Sequence, residues 1–148
     1  MGSLSLPPSG PVYGDAQIFI YSVEKHPIYA PLLRPLWESV ARGDIEVVTS
    51  ELTLLETLVG PLKRADSALE TDYENFLVCP GIRLLPITAP ILRAAARLRA
   101  TLTSLRTPDA IHAATADACG STLLVTNDTA FRRISGLALA ILDDLRGP

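Results

Sequence analysis

Residues 107–131, TPDAIHAATADACGSTLLVTNDTAF, carry two carboxylates, Asp109 and Asp128, at positions from which a parallel α/β fold converges side chains. Asp109 falls in the first turn of an expected helix, and Asp128 follows an expected strand. In open α/β sheets, ligands bind in the crevice at the carboxyl ends of the strands. Acidic groups brought together there without compensation repel one another and are driven toward protonation.

The elements that must position these groups are legible in the same stretch. Thr107 reads as an N-cap, Pro108 suits the first helical position, and an Ala-rich body runs to Gly120, which closes the helix. STLLVT is short, apolar and bounded by turn residues, as a buried strand should be. Upstream, VYGD predicts a strand from Val12, and IFIYSVE a helix. Prolines at 27, 31 and 35 predict a broken start and one good helix from about Pro35, ended by Gly43. A strand over 45–48 leads into a helix capped by Thr49 or Ser50 and ending near Gly60 and Pro61. Leu52, Leu55, Leu58 and Val59 are expected on its buried side, with Glu56 in its middle. A longer amphipathic helix is expected over 62–77, striped by Leu62, Ala65, Leu69, Tyr73 and Phe76. IRLLPIT predicts a strand, and Thr88 then caps a helix with Ile91, Leu92, Ala95, Leu98 and Leu102 inward and Arg93, Arg97 and Arg99 outward. A helical turn over 131–134 and a strand over 139–142 complete the chain. Strands alternating with helices imply an α/β fold, with a central, mostly parallel sheet between helical layers. Residues 1–11 read as a flexible N-terminal segment and 12–148 as one domain.

The 148 residues are 48% apolar and 20% charged, an ordinary globular composition. No apolar run approaches the ~18 residues of a membrane span, and MGSLSLPPSG lacks the pattern of a secretory signal, so a cytoplasmic location without membrane contact is expected. Cys79 and Cys119 lack zinc-site spacing and are expected as small buried hydrophobes. A net charge of −3 gives no global attraction for nucleic acid, so a polyanion must be met by local arginines.

An early strand ending in Asp15, a Ser-started helix carrying Glu56, then T-P-D-A-I-x-A-A-x-A and V-T-N-D-x-x-F together resemble a PIN-domain ribonuclease of the VapC-like toxin type. The resemblance runs from Val12 to Leu142. It implies a three-layer α/β/α fold and an acidic quartet of Asp15, Glu56, Asp109 and Asp128 holding Mg²⁺ or Mn²⁺ for hydrolysis of RNA. Asp15 and Asp109 would be direct ligands. Glu56 and Asp128 would orient water, act in proton transfer or hold a second metal, and Thr126 and Asn127 match supporting polar positions. It further implies a cognate antitoxin that covers or enters the site, and a homodimer. Four gathered carboxylates need a cation to stay ionised at neutral pH, and hard divalent cations prefer oxygen ligands.

The first motif departs from the family. Asp15-Ala16-Gln17 stands where Asp is usually followed by Thr or Ser and then Asn or Asp, and Gly14 replaces an aliphatic residue. Such changes in supporting groups alter metal affinity by as much as ~10- to 100-fold, so a weak nuclease, or a non-catalytic RNA- or partner-binding module, is the alternative function. Asp117 lies two turns beyond Asp109, roughly 12 Å away, and is expected to be peripheral. His112 is expected as a packed or surface residue outside the mechanism, His26 as loop, and Arg132 and Arg133 as a solvated pair or a backbone contact. A dehalogenase-type phosphatase needs a second Asp where Gln17 stands, a receiver domain needs a late Lys, and a dinucleotide fold needs GxGxxG; all three are absent.

Overall fold

The computed structural model describes residues 2–147. Its sheet follows from strands whose alternate side chains are apolar on both faces. In β1 (Pro11–Gly14), Val12 joins a core on one face and Tyr13 a core on the other. In β2 (Glu46–Ser50), Val47 and Val48 divide in the same way, as do Val125 and Leu124 of β4 (Leu123–Thr126). Strands buried on both faces need helices on both sides. Here α1 (Ala16–Val23), α2 (Tyr29–Ala41) and α4 (Ser67–Leu77) supply one layer through Phe19, Leu33, Leu36 and Leu77. On the other side α6 (Thr107–Ala118) packs Ala113 and Ala116 on the sheet, while α5 (Ala89–Thr101) packs Ile91 and Ala95 against Ala110 and Ala114.

With β3 (Ile82–Leu85) and β5 (Leu139–Ile141), the five strands are all parallel in the order β3-β2-β1-β4-β5. The expected three-layer α/β/α architecture is therefore present. The order reverses between β1 and β4, where Val12 lies beside Leu123 and Gly14 beside Val125. Such a reversal opens a crevice at the strands' carboxyl ends.

Several local expectations are corrected. The helix expected from Pro35 begins at Tyr29 and passes through Pro35. Pro31 lies in its first turn, where no intrahelical donor is required, and the ring of His26 accepts from the N–H groups of Ile28 and Tyr29. α3 (Leu52–Lys63) continues through Gly60 and Pro61, and the break falls at residues 64–66, where Ala65 has a φ of 52° and Asp66 caps α4 at Leu69 N–H. Leu62 and Ala65 are consequently exposed rather than part of a stripe. The inward face of α3 is also not the expected one. Thr53, Thr57 and Pro61 are buried, whereas Leu55 is 65% and Val59 44% exposed. The threonines bury without penalty because Thr53 bonds the Thr49 hydroxyl at 2.6 Å and Thr57 Oγ1 donates to Thr53 O at 2.7 Å. Leu92 of α5 is likewise exposed, and so is Cys79, which ends a helix instead of filling a core. Ahead of β1, Leu4 is buried and Gly2 N–H donates to Leu145 O, so this lead-in packs on the domain.

Candidate active site

Each acidic group of the site is delivered by a different element. Asp15 is the N-cap residue between β1 and α1, and its 5% exposure follows from its place at the end of the central strand. Thr126, the last residue of β4, donates its hydroxyl to Asp15 Oδ2 at 2.5 Å. The other oxygen, Oδ1, is buried with no hydrogen-bond partner among the described residues. Burial, aided by the nearby charges of Glu56 and Asp128, pushes the Asp15 carboxyl up to about 6, against an opposing pull from His112 and the Thr126 hydroxyl.

Asp109 sits in the first turn of α6, as expected, although the N-cap is Arg106, one residue before Thr107. The far end of α6 closes as expected on Gly120: its N–H meets Asp117 O, and Ser121 N–H meets Ala116 O, a Schellman closure with φ of 66° at the glycine. Asp109 is 6% exposed, and burial raises its carboxyl, with the Asp128 charge adding to the rise and Arg106 opposing it. Arg106 bridges two acids, with Nε 3.3 Å from Asp109 Oδ2 and Nη2 3.6 Å from Asp128 Oδ2. Asp128 Oδ1 meanwhile accepts from Ala130 N–H at 2.8 Å, capping the 3₁₀ turn Thr129–Arg133. It therefore holds a turn with one oxygen and faces the site with the other.

Glu56 comes from the middle of α3. Its Oε1 lies 2.6 Å from His112 Nε2, and His112 Nδ1 lies 2.6 Å from the Tyr13 hydroxyl, which accepts from Ser50 N–H at 3.0 Å. Burial drives the Tyr13 hydroxyl well above its usual range, so it keeps its proton. Nε2–H donates to the Glu56 carboxylate, which can only accept, and the Tyr13 hydroxyl and Nδ1 share the second bond.

Asp15, Glu56, Asp109, Asn127 and Asp128 all line one cleft of about 550 Å³, together with Ala16, Gln17, Arg106, His112 and Asp143. Thr126 stands behind it through its bond to Asp15. Asn127 uses Oδ1 to accept from Asp143 N–H and its amide nitrogen to reach the Tyr21 hydroxyl. Asp117 is exposed on α6 and Arg132 pairs with Asp144 at 2.5 Å, neither lining the cleft. Arg106, His112, Tyr13 and Asp143 are the site residues that sequence reasoning missed. Arg106 and His112 each stand three residues from Asp109 on α6, and that helical spacing was the available signal. Tyr13 reads as a plain strand residue and carries no such signal.

The sequence matches the PIN domain family over residues 12–137. The chain belongs to the PIN domain family. Its PIN fold is similar to that of VapBC2 from Rickettsia felis bound to a promoter DNA fragment, with a TM-score of 0.73 and 22% identity, over 89% of this chain and 98% of that one. It is also similar to a toxin–antitoxin complex from Klebsiella pneumoniae (TM-score 0.66, 23% identity, 88% and 97% covered). A third similar structure is VapC20 of Mycobacterium tuberculosis, described as a toxin cleaving the sarcin-ricin loop (TM-score 0.68, 18% identity, 86% and 96% covered). No curated protein matches the sequence significantly.

In this PIN domain the donor set suits a hard divalent cation. The acids offer only oxygen, Asp15 Oδ1 has no partner, and burial penalises the charge it must carry. Among the described residues no three His, Cys, Asp or Glu side chains converge closely enough to enclose a metal as they stand. Arg106 occupies the space between Asp109 and Asp128.

Proposed function

We propose that this PIN domain is a Mg²⁺- or Mn²⁺-dependent ribonuclease that hydrolyses RNA phosphodiester bonds, and that it is the toxin of a type II toxin–antitoxin pair. The observation that carries the reading is the cleft at the β1–β4 reversal, where Asp15, Glu56, Asp109 and Asp128, from four elements, are four of the five lining carboxylates, and where an Asp15 oxygen is unpartnered among the described residues. Asp15 and Asp109 would hold the metal. When bound, the cation would supply positive charge to the phosphate and leaving oxygens and acidify water. Thr126 fixes the Asp15 carboxylate through Oδ2 and leaves Oδ1 available. Glu56, oriented through His112 and Tyr13, would accept a proton from the attacking water, and Asp128 would orient that water or hold a second metal, with Asn127 as a supporting polar group.

The solved structures of similar fold include a toxin–antitoxin complex and a sarcin-ricin loop cleaving toxin, which supports a cognate antitoxin protein as partner and RNA as substrate. A homodimer acting in the cytoplasm completes the proposal. No described helix is long and apolar enough to cross a membrane. Induced expression tests the toxin reading. Growth should arrest and recover with Asp15→Ala; continued growth of cells making the wild-type chain contradicts it. If purified protein neither binds Mn²⁺ nor cleaves RNA, a binding module replaces the nuclease.

A further inference from the structure

Among the described residues lining the cleft, Arg106 is the one Arg or Lys, and it faces five carboxylates. Its side chain is 72% exposed, and its two recorded polar contacts are the long ones to Asp109 and Asp128. Asp109 is buried at its end of the pair, while Asp128 is partly open and the guanidinium lies in water, so solvent screening weakens these long contacts. Its backbone, in contrast, is fixed: Arg106 is the N-cap of α6, and its carbonyl accepts from Ala110 N–H at 3.0 Å. The guanidinium is thus an exposed charge on a fixed backbone, in a cleft that the proposed function fills with a polyanion and in a protein of net charge −3.

We infer that Arg106 is a two-position residue: its guanidinium bridges Asp109 and Asp128 in the metal-free protein, competes with the divalent cation for them, and on metal binding moves to a phosphate of the bound RNA. The inference rests on the metal-dependent nuclease reading above and assigns a positioning role to a residue outside the acidic quartet. Two cations cannot share these carboxylate oxygens without mutual repulsion, and a divalent ion on short oxygen contacts outcompetes a solvent-exposed guanidinium. Displaced from the acids, the planar fork is suited to phosphate, which it contacts bidentately.

The two positions give opposite signs when Arg106 is removed. Calorimetric titration of the full chain with Mn²⁺ alone should show Arg106→Gln binding about three- to tenfold more tightly than wild type, as expected for loss of a weak competitor. Anisotropy of a labelled single-stranded RNA, with Ca²⁺ in place of Mn²⁺, should show the same variant binding RNA more weakly, with the slope of log affinity against log salt reduced by about 0.7. Arg106→Lys, which keeps the charge but not the fork, should lie between the two. A merely structural role would weaken both bindings together. Unchanged or weaker Mn²⁺ binding by Arg106→Gln, in protein where Asp109→Asn abolishes it, overturns the inference alone. Unchanged RNA affinity overturns the second position. Absence of Mn²⁺ binding in both wild type and Arg106→Gln overturns the inference together with the nuclease reading.

Discussion

Two helices bring acids to the cleft from opposite kinds of surroundings. On α6 eight consecutive residues, Asp109 through Ala116, are buried, and its small side chains allow close packing against both α5 and the sheet. On α3 Leu55, Val59 and Leu62 are exposed and Thr53 and Thr57 buried, with Leu52 and Leu54 packed on the cores only in part. α6 is held by shape, so Asp109 cannot move without disturbing the core. α3 is held on its inner side by hydroxyl bonds, Thr49 to Thr53 and Thr57 to the backbone, and Glu56 is fixed by His112 rather than by packing. A rigid mount suits a ligand of a cation, and a hydrogen-bonded one suits a group that gains and loses a proton.

The largest effect should separate these two roles. Glu56→Gln is expected to reduce RNA cleavage by ~10²-fold or more while leaving Mn²⁺ binding in place, as removal of a general base does. Loss of Mn²⁺ binding in that variant would make Glu56 a ligand and erase the distinction between the helices.

Asp15 sharpens the contrast from the sheet side. Its carboxyl stands at about 6 in the folded protein against 3.8 ordinarily, so the native state holds the proton more tightly than the unfolded chain. This contribution to stability is fully present below pH ~4 and is lost as pH rises from ~4 to ~6, amounting to about 2–3 kcal/mol. Asp15→Asn should therefore stabilise the metal-free protein at pH 7 by up to about that amount in denaturant unfolding. A destabilised variant would mean that the carboxylate is compensated without metal.

A packing pair comes next. Ala116→Leu, at a position with no exposure on α6, should cost about 2 kcal/mol through overpacking against the sheet. Leu55→Ser on α3, at 65% exposure, should change stability by less than about 0.5 kcal/mol. Thermal unfolding of the two side by side measures the difference, and a large loss from Leu55→Ser would show that its face is covered in solution.

The same contrast explains what could be read in advance. The α6 segment was legible because its local signals agree: proline at the start, glycine at the end, alanines between, and Asp109 in the first turn. The α/β order of elements and the sheet followed from apolar runs that fit only doubly covered strands. The buried face of α3 was not legible, because counting leucines ignores that threonines bury once their hydroxyls are bonded. The start of α2 was missed because Pro31, in its first turn, ends nothing and the helix passes through Pro35. Asp15, Glu56, Asp109 and Asp128, grouped in the sequence by the family resemblance, line one cleft. The His112–Tyr13 support and the Arg106 bridge join residues far apart in sequence or of unremarkable type, and only the fold brings Tyr13 to His112 across 99 positions.

The most direct measurement is cleavage of total cellular RNA by the purified full chain, with Mn²⁺ and with chelator, beside Asp109→Asn. Cleavage that requires Mn²⁺ and falls by ~10²-fold or more in Asp109→Asn is the expected result. Cleavage that survives the chelator or the substitution, or a chain that binds Mn²⁺ and leaves RNA intact, would contradict a metal-dependent ribonuclease built on these carboxylates.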